Sequence, residues 1–338
     1  MRELQRRSRV RGVLAALVAC VLAAMHVACD GEERGGSHDA MAGAVPSERM
    51  SAALRGVDWI VSHADELPDG WAHPLLLRLH RVAPDDETAR RIEAVLRDDG
   101  APSRRFPLPA RLSDPRLLQP LRLMPILFEL RRRKAVGEPY EAELEVLRRL
   151  LEARGGALLT RLPLTQRIVC LHQLRDLGLP RPYDFDSLFA EVEASVRERP
   201  IAELIEDRAI LYAITHLVLV ESGYFRRYVD AARYGNLLPP LRQALPIQLA
   251  EGAGEQGLDV AAEILACLSL LRQPDDEVVR EARRRLIAAQ DADGSWGDTP
   301  GVNPTRVHAT LVGTFGTIEL PATLRADPDL RKERSPGH

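Results

Sequence analysis

From Pro46 onward the chain is patterned with a helical period. Leu144, Leu147, Leu150 and Leu151 recur three and four apart in an otherwise charged segment, and Ile264, Leu265, Leu268 and Leu271 repeat the spacing. The pattern predicts helices at 47–64, 72–82, 86–98, 114–134, 140–154, 164–177, 185–198, 201–220, 222–234, 237–250, 257–272, 275–290 and 304–318. Caps and prolines suited to a first turn stand at Pro46-Ser47-Glu48 and Asp114-Pro115. Stops fall at Gly100, Gly137, Gly155-Gly156, Gly178 and Gly235. Alternating β-branched runs bounded by hairpin turns are missing. The expected fold class is therefore all-α.

The helices are not equivalent. Ala209 to Val220 contains only Tyr212, Thr215 and His216 as polar groups and is too short to cross a bilayer. It reads as an inner, buried helix, whereas 86–98 and 275–290 are amphipathic and belong outside. Alternating inner and outer helices suit a closed α/α toroid, or alternatively an open α-helical superhelix.

The first 28 residues differ from the rest. Arg2, Arg6, Arg7, Arg9 and Arg11 precede an apolar stretch from Val13 to Ala28, and the chain turns small and polar after Cys29. This is the layout of a secretory signal. Val27-Ala28-Cys29 resembles the lipobox of bacterial lipoproteins, which implies lipidation of Cys29. His26 departs from that pattern, and Leu17-Val18-Ala19-Cys20 offers a second candidate with a shorter apolar stretch. The expected layout is a signal peptide at 1–28, a flexible tether at 29–46, a helical domain at 47–320 and a disordered tail at 321–338. The expected location is the bacterial cell envelope, with the membrane as partner through the lipid.

Composition narrows the function. The net charge of -3 excludes a general nucleic-acid binder. Nearly all basic residues are Arg, with Lys134 and Lys332 the only lysines, so Arg runs such as 283–285 read first as solvated helix faces. Cys170 and Cys267 sit in apolar helical runs, as buried thiols or as a disulfide pair.

The most specific segment is Gln290-Asp291-Ala292-Asp293-Gly294-Ser295-Trp296. It resembles the QW repeat of squalene and oxidosqualene cyclases and similar loops of prenyltransferases, all α/α toroids. The resemblance implies that Gln290 bonds backbone at a neighbouring helix end and lies against the Trp296 ring, while Gly294 turns with positive φ. The cyclases' Asp-x-Asp-Asp acid has no counterpart; Asp184-Phe185-Asp186-Ser187 lacks the last Asp. The resemblance therefore speaks to architecture and not to chemistry.

Candidate chemistry rests on two histidines. Tyr212 and His216 lie one turn apart on one face of the most apolar helix, and His308 shares an inward face with Leu311 and Val312. Each is a pocket candidate or a core histidine satisfied by backbone. His73 and His80 share a face but are too far apart to chelate one ion closely. No zinc spacing, nucleophile elbow or phosphate loop occurs, so no metal and no cofactor are expected. Two functions remain open: a ligand- or partner-binding scaffold, or a degenerate toroid enzyme acting on a prenyl, peptide or glycan substrate with His216 and His308 as acid-base groups.

Overall fold

A computed structural model describes residues 47–67, 71–98, 112, 120–250 and 254–330. The signal at 1–28, the tether at 29–46, Cys29 and Cys20 lie outside the described residues. The order is α1 (Glu48–Ser62), α2 (Ala72–Val82), α3 (Asp86–Asp98), α4 (Pro120–Val136), α5 (Glu141–Leu150), α6 (Leu164–Asp176), α7 (Phe185–Arg197), α8 (Arg208–Glu221), α9 (Leu238–Gln248), α10 (Gly254–Leu270), α11 (Glu277–Ala288) and α12 (Pro304–Thr317). Short helical turns link several of them. Among the described residues there is no strand, and the protein is all-α.

The starts of the helices follow from side-chain caps. Ser47, Asp184, Asp207, Asp276 and Asn303 each accept a hydrogen bond from a backbone N–H of the first turn, satisfying donors that the helix itself cannot. The Asp207 cap also splits the expected 201–220 helix, leaving Ile201–Leu204 as a separate turn.

Packing sorts the helices by parity. α2, α4, α6, α8, α10 and α12 form a row in which each contacts the next. The odd-numbered helices lie against that row: α3 on α2, α7 on α6, α9 and α11 on α10, and α1 on α12. α8, α10 and α12 are buried along most of their length, whereas α3 and α11 bury one stripe and expose charge on the other. A second apolar cluster joins Leu123, Ile126, Leu127 and Leu130 of α4 to Leu147 of α5 and Leu174 of α6.

Two regions depart from the sequence expectation. The segment 222–230 is not helical, and only Ala231–Tyr234 forms a short 3-10 helix. Gly223, Tyr224 and Phe225 take φ of 65°, 54° and 68°, and the Tyr224 N–H closes onto Leu219 O at 2.7 Å. Left-handed backbone at two aromatic residues carries strain that only surrounding packing sustains. Its packing is visible: Tyr224 and Phe225 are buried, and the Phe225 ring meets Phe315 with centroids 4.4 Å apart. Residues 321–330, part of the expected tail, instead pack on the helical body: Pro321 and Ala322 accept from Tyr228 and Arg272, and Arg325 and Asp327 lie against α2. The Arg325 N–H donates to Arg81 O, Asp327 pairs with Arg81 at 2.6 Å, and Leu330 is buried. Residues 331–338 lie outside the described residues.

The loop that resembles the QW repeat fastens the last helices to the first. Gln290 Nε2 donates to Ala52 O within α1 at 2.9 Å and to Gly294 O at 2.8 Å. Its backbone target is thus inside α1 and not at a helix end. The Trp296 ring is fully buried, and its Nε1–H donates to Leu286 O at 2.8 Å. That carbonyl belongs to the last turn of α11, which lacks an intrahelical donor. Gly294 has φ of +93°, and a Cβ there would lie 2.6 Å from Arg55 O. Gly313 of α12 leaves space for the indole, since a Cβ would lie 2.5 Å from Trp296 Cδ2.

Candidate functional site

Three inner helices bring polar groups to one place. On α8, Tyr212, Thr215 and His216 share a face because residues three and four apart stack along a helix. On α10, Asp259 and Glu263 are one turn apart in a helix otherwise almost wholly apolar. α10 packs between α8 and α12, and α12 carries His308. The two carboxylates therefore stand between Tyr212, Thr215 and His216 on one side and His308 on the other.

The geometry is tight. The Tyr212 hydroxyl donates to Asp259 Oδ2 at 2.5 Å, and Thr215 Oγ1 donates to Glu263 Oε2 at 2.6 Å. His308 Nδ1 donates to Asp259 Oδ1 at 2.7 Å. His308 Nε2 stands 3.7 Å from Glu263 Oε1, beyond hydrogen-bond length. His216 Nδ1 donates to Tyr212 O at 2.9 Å and lies 3.6 Å from Glu263 Oε2. Since a carbonyl only accepts, the proton sits on His216 Nδ1 when its ring is neutral, and Nε2 is then the lone-pair nitrogen.

Electrostatics fixes the charge of His308. Burial disfavours its cation, but Asp259 at hydrogen-bond distance and Glu263 nearby outweigh that, and the imidazole is pushed up to about 9. Asp259 responds reciprocally: burial opposes its ionisation, yet His308 and Tyr212 hold it below the ordinary carboxylate value. The Tyr212 phenol is driven well above its ordinary value by burial and by the two carboxylates, so it remains a donor. Asp259 and Glu263 are 6% and 2% exposed, whereas the His308 side chain retains 37%. The imidazolium is therefore the accessible face of a buried network, with its Nε2–H uncommitted among the described residues.

The same groups can hold a metal ion. Asp259, Glu263 and His308 offer ligand atoms within 4.8 Å of one another, a set of two carboxylates and one imidazole. The expectation of no metal site rested on the missing local spacing; these ligands come from α10 and α12, far apart in sequence. Binding there requires His308 to surrender its proton, in competition with the Asp259 bond.

All three pocket candidates from the sequence, Tyr212, His216 and His308, meet in this cluster. Asp259 and Glu263 escaped the sequence reading, although two acids four apart in an apolar helix are a usable signal. Gln290, Gly294 and Trp296 lie in the α11–α12 connection as a packing motif. Cys170 and Cys267 are both free and buried, and Cys267 Sγ lies 3.4 Å from Thr215 O.

Fold and site together define an all-α protein with a histidine–carboxylate cluster on its inner helices. Residues 73–313 match the model of a family described as a domain of unknown function (DUF6895), and the chain belongs to that family. The match runs from α2 into α12 and includes every residue of the cluster. No curated protein and no solved structure matches the chain.

Proposed function

We propose that this protein is a ligand-binding member of the bacterial cell envelope, tethered by a lipid on Cys29, with its helices closed into an α/α toroid. The row of even-numbered helices, with odd-numbered helices packed against it, supports the toroid. The open superhelix is the alternative arrangement. The single observation that carries the binding role is His308. Its Nδ1–H is tied to Asp259, its charge is held by two carboxylates, and its Nε2–H has no acceptor among the described residues although the side chain is 37% accessible. An imidazolium arranged in this way donates to a ligand oxygen, and Tyr212 and Thr215 keep the supporting carboxylates in place.

Native mass spectrometry of the protein purified from its own cells tests this role. A co-purifying small molecule is expected, and it is lost in His308→Gln. Absence of any bound mass in the wild-type protein contradicts the proposal. Fractionation of Cys29→Ala tests the tether separately: the variant should leave the membrane fraction, and a wild-type chain already in the soluble fraction contradicts the lipid anchor.

The convergence of two histidines and two carboxylates favours a second reading, an enzyme acting on a prenyl, peptide or glycan substrate. His308, cationic at neutral pH, is then the general acid, and His216 Nε2 offers a base. This reading requires turnover of such a substrate that disappears in Asp259→Asn and His308→Gln while the fold survives. Binding with no turnover leaves the first reading standing.

A further inference from the structure

A cavity of about 560 Å³ opens between α2, α4, α6, the 222–227 turn and the segment 327–329. Its volume lies within the range of small-molecule sites. Five cationic side chains line it: Arg78, Arg81, Arg131, Lys134 and Arg226. The lining carboxylates are Asp176, Asp327 and Asp329. The surplus is two positive charges, because the lining histidines, His73 and His172, are neutral: burial, then nearby arginines, lowers both, His73 to about 3.

The carboxylates are shared among the cations. Asp176 receives Arg131 at 2.8 Å and Arg226 at 3.2 Å, and Asp327 receives Arg81 at 2.6 Å and Arg226 at 3.1 Å. Among the described residues Lys134 donates only to a backbone carbonyl, Asp176 O, at 3.0 Å. Arg78 makes no ion pair among the described residues, although Glu263 acts on its charge from farther away. Its guanidinium carbon lies over the Tyr224 ring, 4.0 Å from the centroid, with no hydrogen-bond acceptor among the described residues. Tyr224 is the residue whose left-handed backbone interrupts the expected helix, so a strained turn places the ring that supports Arg78. Burial and neighbouring cations also disfavour charge on the wall: the Arg131 guanidinium is lowered to about 10 by burial and by Arg226, Arg78 and Arg81, despite Asp176.

We infer that this cavity is a binding site for a soluble phosphate monoester, with the Arg78 guanidinium as the fork that grips the phosphoryl oxygens. The charge decides the class. A phosphate monoester carries about −1.5 to −2 at neutral pH, which offsets the surplus of two, whereas a monocarboxylate offsets half. The planar guanidinium, placed over the Tyr224 ring, matches two phosphoryl oxygens at once. Lys134 adds an exposed ammonium at the same wall. The site does not depend on the role proposed for His308.

Isothermal titration calorimetry of the full chain with glycerol 3-phosphate and with inorganic phosphate tests the inference, at ionic strength matched with sodium chloride. Saturable binding is expected for both, with glycerol giving no heat. Arg78→Gln should weaken binding about tenfold or more, the loss of one charge-assisted fork. The ligand-free Arg78→Gln protein should melt no lower than wild type, because losing a buried, crowded cation offsets the lost contact over Tyr224 and breaks no ion pair among the described residues; a residue serving only the fold would lower the melting temperature. Lys134→Gln, a change at a partly exposed side chain, should also weaken binding and guards against a folding defect in the first variant. No binding up to about 10 mM, equal binding by Arg78→Gln, equal affinity for acetate, or binding to phosphatidic acid vesicles without binding to glycerol 3-phosphate each overturns the inference.

Discussion

Trp296→Ala removes the largest fully buried side chain among the described residues. The ring occupies space left by Gly56 and Gly313, whose absent side chains would otherwise meet it at 2.9 Å and 2.5 Å. Both glycines belong to helices, so the walls around the ring are backbone and cannot collapse far into the vacancy. Truncation of a large aromatic in such a setting costs about 3–5 kcal/mol. The indole N–H also satisfies Leu286 O at the end of α11. Leaving a buried carbonyl without a donor adds on the order of 1 kcal/mol. The expected total of about 4–6 kcal/mol is a large share of a typical stability of about 5–15 kcal/mol. Urea unfolding followed by circular dichroism measures it. Trp296→Phe separates the two parts: it keeps most of the apolar volume, loses the N–H, and should cost about 1–3 kcal/mol. Gln290→Ala, which releases the Ala52 carbonyl, should fall in the same smaller range, and the double variant should be less than additive. A loss under about 1 kcal/mol for Trp296→Ala refutes the clasp, since that is the range of ordinary surface changes.

Three further outcomes follow from the same geometry. Gly313→Ala forces a methyl into the indole and should cost about 1–3 kcal/mol by overpacking, with partial recovery when Trp296 is also made smaller, read by thermal unfolding. The folded His308 is raised to about 9 from an ordinary 6.5, so its contribution to stability is complete below pH 6.5 and lost as pH rises through 9; the urea midpoint should fall across that window, and His308→Asn should flatten the fall. His73 shifts the opposite way, to about 3: the unfolded chain takes up its proton below about pH 6.5 while the folded chain refuses it, which destabilises the fold by about 2 kcal/mol at pH 5, and His73→Leu should shift the acid midpoint downward.

What the sequence made legible follows from the range of the forces involved. α8 was readable because twelve nearly apolar residues have nowhere to go but inside, and any polar group on such a helix must find a partner. Tyr212 and His216 stood out for that reason, and His308 for its inward face. Their partners were not named, since Asp259 and Glu263 approach them only through the packing of α10 between α8 and α12. Arg78 was hidden by abundance: in a chain whose basic residues are almost all Arg, nothing local marks a guanidinium that makes no ion pair among the described residues. The segment 222–234 satisfies helical spacing, but local bonds such as Tyr224 N–H to Leu219 O and tertiary contacts such as Phe225 with Phe315 hold its left-handed turn. The Gln290–Trp296 loop was legible as a unit, with its target displaced from a helix end to Ala52 in the body of α1.

The central claim is that His308 is a fixed cation with one uncommitted donor, held by Asp259 and Glu263. Nuclear magnetic resonance titration of the His308 imidazole nitrogens measures this directly. The ring should remain doubly protonated through neutral pH and titrate near 9, and in Asp259→Asn its midpoint should fall towards the ordinary 6.5. A midpoint at or below 6.5 in the wild-type protein, or one that Asp259→Asn leaves in place, contradicts the account.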